Sequence, residues 1–305
     1  NTYVMKLFSP EKLYKHFIRD NYDIIVSYLE GPTARIVSGC TNPNTKLVSW
    51  IHIEQHTKEL ASKSFRSYKE ALDCYSKFDR TVCVSDTVKD DFESIFDTKK
   101  PVEVLYNTNE SEKIKKLSDE KVDDVNFSKD IINIISVAKI VPSKGYDRLM
   151  KIHKKLIEKN IKNHIYILGI GEEKEKYEKY LAENNLTDTF TFLGYRDNPY
   201  KYVKKADLYV CSSRREGFST AVIEALIVGT PVVSTNCSGA YELLGKNNEY
   251  GIVTENNEDA LYEGIKKILT TPDLLEAYAA KAKERGKAFS TEKTVKAVEE
   301  MLSAL

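Results

Sequence analysis

The sequence predicts an α/β protein whose sheets are parallel, and two observations support this fold class. Short runs rich in β-branched residues alternate along the chain with longer amphipathic segments rich in Lys and Glu. Several of the short runs are apolar throughout, as strands covered on both faces are. Because parallel strands need crossover connections, which are usually helices, this alternation of strand and helix indicates parallel sheets.

Both patterns extend over the whole chain. The expected strands are Tyr22–Leu29, Lys46–Ile53, Arg80–Ser85, Val102–Asn107, Asn133–Ile140, His164–Gly169, Thr189–Gly194, Ala206–Ser213, Pro231–Asn236 and Gly251–Thr254. The expected helices are Pro10–Ile18, Glu59–Phe78, Tyr146–Lys159, Glu172–Asn184, Thr220–Val228, Glu258–Thr270 and Thr291–Leu305.

A length of 305 residues suits two domains of ordinary size. The segment Glu110–Ser128 is polar and rich in both charges, and a linker between two sheets fits the strand spacing better than an exposed helix within one domain. The expected domains are therefore residues 1–125 and residues 126–288. Residues 289–305 are expected to form a helix that packs back towards the N-terminal domain.

The overall composition excludes several classes of protein. Lys and Arg total 46 and balance 46 Asp and Glu, which argues against a nucleic-acid-binding protein. No apolar run approaches the roughly 18–20 residues that span a bilayer, and the start of the chain does not read as a signal peptide. The five cysteines include no Cys-x-x-Cys pair, which favours reduced thiols in a cytoplasmic protein over disulfides or a zinc cluster.

The segment from Ala206 to Pro231 carries the strongest candidate site. A buried strand ends in small polar residues, a loop containing Gly217 follows, and a helix begins near Ser219 and Thr220. The first amide N–H groups of such a helix point out of the carboxyl edge of the sheet and form a site suited to a pyrophosphate. Gly217 permits close approach of the backbone to a ligand, and Ser219 or Thr220 can cap the helix.

Glu216 in this loop and Glu224 in the helix can face the same crevice. Carboxylates beside a phosphate site are useful when they accept hydrogen bonds from neutral hydroxyls, which sugars supply. A ribose would suit Glu224 and a hexose would suit Glu216. The alternative, which the pattern leaves open, is a solvated loop carboxylate and a helix carboxylate favoured by the macrodipole.

Three short stretches of this segment together resemble a known signature. Glu216-Gly217-Phe218, then Glu224-Ala225-Leu226, then Gly229-Thr230-Pro231 is similar to the pattern of the retaining glycosyltransferase family 4, which has the GT-B fold. The stretch from Ser136 to Gly145 resembles the family segment whose two basic residues bind the donor pyrophosphate. Lys144 matches directly. Lys139 stands where the family usually has Arg, and a lysine is a point charge without the bidentate fork of arginine.

Other segments resemble the same family in the same order. Phe192-Leu193-Gly194-Tyr195 corresponds to the segment that contacts the nucleotide base, and Gly169-Ile170-Gly171 to the glycines at a strand end. His52 follows an apolar strand and corresponds to the histidine that faces the donor sugar. His56 lies four residues further on, but no third ligand of suitable spacing is evident, so no metal site is expected.

The resemblance implies a GT-B fold: two Rossmann-like parallel-sheet domains facing a cleft. It also implies transfer of a hexose or N-acetylhexosamine, with retention, from a nucleotide diphosphate sugar, expected to be a UDP-sugar. The residues named for the donor are Lys139, Lys144, Tyr195, the loop Gly217–Thr220 and Glu224. Glu216 and His52 are the expected catalytic residues. No cofactor is expected, and the absence of an Asp-x-Asp motif agrees with metal-independent transfer.

The expected acceptor is a glycan or a lipid-linked saccharide, as in polysaccharide or capsule synthesis in bacteria. The expected location is the cytoplasm, with peripheral contact at the inner face of the plasma membrane. The N-terminal domain is expected to be incomplete, lacking roughly 60–90 residues of opening βα units. Two alternatives stay open: a nucleotide-sugar-binding module that is inactive as a fragment, and a UDP-sugar epimerase of GT-B fold.

Overall fold

The computed structural model describes the backbone of residues 2–305 and the side chains from Val4 onwards. The chain divides into two compact units. The first comprises Asn1–Asn107 together with Val295–Leu305, and the second comprises Thr108–Thr294.

The first unit is built on a four-stranded parallel sheet with strand order β1-β2-β3-β4. The strands are β1 Ile24–Ser27, β2 Lys46–Ile51, β3 Arg80–Cys83 and β4 Val102–Val104. The helices in this part of the chain are α1 Thr2–Met5, α2 Pro10–Phe17, α3 Pro32–Val37, α4 Lys58–Ala61, α5 Tyr68–Tyr75 and α6 Asp86–Ile95. Five packed aromatic rings contribute to its core: Phe65, Tyr75, Phe78, Phe92 and Phe96.

The second unit is built on a six-stranded parallel sheet with strand order β10-β9-β8-β5-β6-β7. The strands are β5 Ile132–Val137, β6 Asn163–Leu168, β7 Phe190–Gly194, β8 Leu208–Cys211, β9 Val232–Thr235 and β10 Ile252–Thr254. The helices are α7 Ser111–Ser118, α8 Tyr146–Glu158, α9 Lys174–Glu183, α10 Tyr200–Lys205, α11 Thr220–Val228, α12 Ala240–Leu244, α13 Glu258–Thr270, α14 Leu274–Gly286 and α15 Thr291–Ser303, the last of which continues into the segment assigned to the first unit. Short 3-10 turns lie at Pro142–Lys144 and Lys287–Phe289.

The strand order of the second sheet reverses at β5, which pairs with β6 on one side and with β8 on the other. In open parallel sheets, the crevice beyond the carboxyl ends of two such strands is where ligands bind. Buried side chains of β5, β6 and β8 pack with α8, α9 and α13 in one apolar cluster that fixes the strand ends. The fold therefore presents a crevice between the segments that follow β5 and β8.

The predicted fold class is confirmed: the chain is α/β with two parallel sheets. Every expected strand is present with shifted ends, and the helices Thr220–Val228 and Glu258–Thr270 have the predicted bounds. The domain bounds at residues 125/126 and 288/289, and the incompleteness of the first domain, stay predictions.

Two local predictions are wrong, and several helices were not predicted. The single helix expected at Glu59–Phe78 is two helices, because the Ser67 side chain accepts a hydrogen bond from the Glu70 amide and begins a new helix there. Most of the first half of the expected linker at Glu110–Ser128 is helix α7, which buries Ile114 and packs against α10 and α11. Helix α14, Leu274–Gly286, was not among the helices named from the sequence, and neither were the shorter helices α1, α3, α6, α10 and α12.

We expect Leu149→Ala to destabilise the second unit by about 2–5 kcal/mol, because Leu149 is fully buried in the apolar cluster and its loss leaves a cavity. Lys151→Ala on the same helix is the control, since that side chain is half exposed. Urea unfolding followed by circular dichroism measures both. Equal midpoints for the two variants would contradict this account of the core.

Candidate functional site

A cavity of about 300 Å³ lies at the carboxyl edge of the six-stranded sheet, where β5 and β8 end and α11 begins. Its walls come from the ends of those two strands, the loops that follow them and the first turn of α11. The lining residues are Ser136, Val137, Ala138, Lys139, Lys144, Tyr146, Tyr209, Cys211, Ser213, Glu216, Phe218, Ser219, Thr220 and Ala221. The cavity therefore lies in the crevice at which the strand order reverses.

The loop after β5 and the loop after β8 are held in direct backbone contact. Gly145 has a φ of +69°, and a Cβ atom there would lie 2.1 Å from the Ser212 carbonyl oxygen, so only glycine fits. The Ser212 hydroxyl donates to the carbonyl of Lys144 at 2.8 Å. The amide of Arg214 donates to the carbonyl of Ser143 at 2.7 Å. These contacts fix Lys144 relative to the strand-end serines.

Arg148, in the first turn of α8, also binds the backbone of the loop after β8. Its side chain is buried, and its guanidinium donates to the carbonyls of Ser212 and Ser213 and to Asn256 Oδ1 at 2.9 Å. Burial lowers the pKa of this guanidinium. Hydrogen bonds to backbone carbonyls offset part of the cost of burying this arginine.

Lys144 and Glu216, which come from the two loops, form an ion pair inside the cavity. Lys144 Nζ lies 2.7 Å from Glu216 Oε1 and 2.8 Å from Oε2, and both side chains are mostly buried. The Ser213 hydroxyl also donates to Glu216 Oε1 at 2.5 Å. The carboxylate is therefore fixed from two sides, by a cation and by a hydroxyl.

Lys139 lines the same cavity and is exposed. The segment that carries it lies against the loop after β6: the Ala138 amide donates to Leu168, and a Cβ on Gly169 would lie 1.9 Å from the Ala138 carbonyl oxygen. A Cβ on Gly171 would similarly clash with the Ile140 carbonyl. In this structure, the two glycines permit close backbone packing that holds the Lys139 segment in place.

The N-terminus of α11 opens onto the cavity. Ser219 occupies the N-cap position with extended backbone, but its side chain makes no capping hydrogen bond, so the predicted capping by a side chain is wrong for Ser219. Since Ser219, Thr220 and Ala221 line the cavity, the amides of the first turn are available to an anion there.

Phe218 lies between Gly217 and Ser219 and is buried at 7% exposure. Its ring packs near Phe289 and against Gly239, where a Cβ would come within 2.4 Å of the ring. Phe218 therefore anchors the loop that carries Gly217 and Glu216, in addition to lining the cavity.

Glu224 lies one helical turn after Thr220 on α11 and is not among the residues that line this cavity. Desolvation by burial raises the pKa of Glu224 to about 7, although a hydrogen bond with the Tyr200 side chain lowers it. Glu216 lines the cavity and Glu224 does not, so the expectation that both face one crevice stays a prediction.

Three further predicted site residues are not among those that line the cavity: Gly217, Tyr195 and His52. Gly217 lies in the loop between the lining residues Glu216 and Phe218. Tyr195 follows β7 and is 66% exposed. His52 follows β2 in the first unit, where its amide donates to Glu30 at 2.9 Å and its ring packs edge-on against Tyr28. His52 Nε2 is buried and has no hydrogen-bond partner among the described residues. The roles assigned to all three stay predictions.

Among the residues that the sequence interpretation did not assign to the site are Ser213, which lines the cavity, Arg148, which binds the backbone behind it, and Tyr200, which hydrogen-bonds with Glu224. Only Ser213 left a signal, as one of the small polar residues at the end of β8. Within residues 2–305, no group of three or more His, Cys, Asp or Glu side chains is arranged to hold a metal ion. Across the same range, no helix has the length and apolar character needed to cross a membrane.

Two parallel-sheet α/β units of this kind define a GT-B fold. The crystal structure of HepE from Anabaena in complex with UDP has this arrangement, with a TM-score of 0.76 and 16% identity over 97% of this chain and 81% of that chain. The family model described as Glycosyl transferases group 1 matches residues 118–285, more than half of the chain. The chain belongs to this family of glycosyltransferases.

Two curated relatives agree with this assignment. The N-acetylgalactosamine-N,N'-diacetylbacillosaminyl-diphospho-undecaprenol 4-alpha-N-acetylgalactosaminyltransferase of Campylobacter jejuni is 30% identical over 275 residues, which are 89% of this chain and 70% of the relative. The poly(ribitol-phosphate) alpha-N-acetylglucosaminyltransferase of Staphylococcus aureus is 25% identical over 93% of this chain and 55% of its own length.

We expect Glu224→Gln to stabilise the ligand-free protein more at pH 8 than at pH 5. Below pH 4.5, the ordinary pKa of a glutamate, Glu224 is protonated in both the folded and the unfolded chain, so it does not change the free energy of unfolding. As the pH rises to about 7, the folded chain keeps a proton that the unfolded chain has lost, so the wild type loses stability that the glutamine variant keeps.

Melting temperatures at pH 5 and pH 8 measure this difference. Glu276→Gln, at an exposed position, is the control and should give the same difference at both pH values. A difference for Glu224→Gln that does not grow with pH would contradict the desolvation of this carboxylate.

Proposed function

We propose that the chain transfers a hexose or N-acetylhexosamine from a UDP-sugar to a glycan or lipid-linked acceptor, with retention and without a metal ion. The observation that carries the proposal is the Lys144–Glu216 pair beside the open N-terminus of α11. It places a cation, a carboxylate and free amides within one cavity at the sheet edge, as a phosphorylated sugar requires.

The donor diphosphate would bind between Lys139, Lys144 and the first turn of α11. Departure of the diphosphate is the difficult step, because negative charge develops on the leaving oxygen. Two lysines and a helix N-terminus at one place supply fixed positive charge for that oxygen without reorganisation. This charge is the reason to propose transfer without a divalent metal.

The nucleoside would extend from the cavity along α11 and past β7. Glu224 can accept hydrogen bonds from the two hydroxyls of a ribose, and Tyr195 lies in the segment expected to contact the base. The structures of HepE with UDP support a uridine nucleotide for a chain of the same fold. Uridine is therefore the proposed base.

Glu216 would hold the hexose. In the structure Lys144 and Glu216 neutralise each other. A diphosphate would compete for Lys144 Nζ, and the carboxylate of Glu216, kept in place by the Ser213 hydroxyl, would then be free to accept hydrogen bonds from sugar hydroxyls. Arrival of the donor would thus convert an internal ion pair into two separate contacts with the ligand.

Retention and the acceptor are proposed from the relatives. Both named relatives form alpha-linked N-acetylhexosaminyl products, one on a diphospho-undecaprenol-linked saccharide and one on poly(ribitol-phosphate). Assignment to the retaining family 4 is proposed on the same basis, the alpha linkages in the names of these relatives. A lipid-linked acceptor would bring the chain to the inner face of the plasma membrane, and His52 would face the donor sugar.

We expect Glu224→Ala to weaken the binding of UDP by roughly 10- to 100-fold, since it removes hydrogen bonds from the ribose hydroxyls to a charged group. Isothermal titration calorimetry with UDP measures the loss. Glu276→Ala is the matched control at an exposed carboxylate of the same unit. An unchanged affinity for UDP would show that Glu224 does not hold the ribose.

We expect Glu216→Gln to lower the turnover of a UDP-sugar while the affinity for UDP changes by less than about 3-fold, because UDP lacks the hexose that Glu216 contacts. A thermal-shift panel of UDP- and GDP-sugars first selects the donor, since a bound ligand raises the melting temperature. Release of UDP from that donor then gives the turnover. Loss of UDP binding together with turnover would contradict the role given to Glu216.

A further inference from the structure

We infer that Arg148 is a positioning residue for the donor sugar: its guanidinium fixes the backbone that holds Glu216. The inference rests on the proposed role of Glu216 in contacting the hexose. Arg148 lies in the first turn of α8, behind the two loops of the site, and does not line the cavity itself. Its effect on a ligand must therefore pass through other residues.

The hydrogen bonds of Arg148 converge on one short segment. Nε lies 2.8 Å and Nη2 2.5 Å from the Ser212 carbonyl oxygen, and Nη2 lies 2.6 Å from the Ser213 carbonyl oxygen. A planar guanidinium presents these donors in a fixed fork, so the two carbonyls are held in one relative orientation.

Both serines held in this way contact a residue of the ion pair, Ser213 at the Glu216 carboxylate and Ser212 at the Lys144 backbone. Ser213 donates through its hydroxyl to Glu216 Oε1, and Ser212 donates through its hydroxyl to the carbonyl of Lys144. Lys144 Nζ in turn binds both oxygens of Glu216. One guanidinium thus fixes both of the supports on which the carboxylate rests.

The hydrogen-bond partners of Arg148 indicate that it orients the backbone rather than compensating a charge. Within residues 2–305 it forms no ion pair with a carboxylate, and its remaining bond is to the side-chain oxygen of Asn256. A buried cation without a counter-ion is costly, and simple packing would be served better by an apolar side chain. The contact is also tight, because a Cβ on Gly145 would lie 2.8 Å from Arg148 Nε.

The variant Arg148→Lys tests this, because it keeps the positive charge but loses the fork. We expect this variant to affect the affinity for the nucleotide part of the donor and the affinity for its sugar differently. The proposed contacts of UDP are with Lys139, Lys144, the amides of α11 and Glu224, and its affinity should change by less than about 3-fold. The hexose depends on Glu216, so the affinity for UDP-N-acetylglucosamine should fall by roughly 10-fold or more, the scale of one hydrogen bond to a charged group.

The matched control is Arg285→Lys. Arg285 also donates to two backbone carbonyls of the same unit, those of Glu242 and Leu243, neither of which belongs to the segment 212–216. Its guanidinium also lies over the rings of Tyr250 and Phe289. Calorimetric titrations with UDP and with UDP-N-acetylglucosamine give both affinities for each variant, and melting temperatures show how far each is destabilised. We expect Arg285→Lys to leave the two affinities as in the wild type.

Glu216→Gln and the double variant complete the experiment. If Arg148 acts through Glu216, Arg148→Lys adds less than about 2-fold to the loss already caused by Glu216→Gln. Equal losses of UDP and UDP-N-acetylglucosamine binding in Arg148→Lys would indicate a purely structural role and overturn the inference. If Glu216→Gln weakens the binding of UDP-N-acetylglucosamine but Arg148→Lys does not, the inference about Arg148 is overturned and the proposed function stands. If Glu216→Gln itself binds UDP-N-acetylglucosamine as tightly as the wild type, the proposed function is overturned as well.

Discussion

The site depends on a close approach of two backbone segments at the carboxyl edge of the second sheet. Gly145, at the end of the loop after β5, lies against the Ser212 carbonyl at a distance that no side chain would allow. Since strands β5 and β8 are neighbours, the loops that follow them must share this narrow space. Lys144 and Glu216 are positioned by that contact, because each lies within a few residues of it.

The same contact places opposite charges in a partly dry environment. Lys144 and Glu216 compensate each other there, which makes the burial of both tolerable in the absence of ligand. Among residues 4–305 no cation pairs with Glu224, and its raised pKa reflects the cost of desolvating it, which the hydrogen bond with Tyr200 offsets in part. Of the two predicted carboxylates, Glu216 is therefore neutralised by a lysine inside the cavity, and Glu224 is buried beside Tyr200, outside the cavity lining.

Part of the cavity lining was indicated by the sequence itself, because the loop that carries it is short and follows a strand. Glu216, Ser219 and Thr220 come soon after a recognisable buried strand, whereas Lys139 and Lys144 were expected only from the resemblance to the glycosyltransferase family. The contact between Lys144 and Glu216 was not predicted, nor was the support given by Arg148. Arg148 and the carbonyls it binds are 64 and 65 positions apart, and no pattern along the chain encodes that they meet.

By itself, the sequence determined the α/β class, the strands and the helix Thr220–Val228, because apolar runs and helix signals are local properties of neighbouring residues. It could not determine where helix α7 would pack, because that depends on partners elsewhere in the chain. The break of Glu59–Phe78 at Ser67 has a local cause, the hydrogen bond from the Glu70 amide to the Ser67 side chain, and the sequence interpretation overlooked it. The tertiary structure alone decided the pairing of Lys144 with Glu216 and the bracing by Arg148. The strand order that sets β5 beside β8 brings these groups together, and that order is a property of the folded sheet.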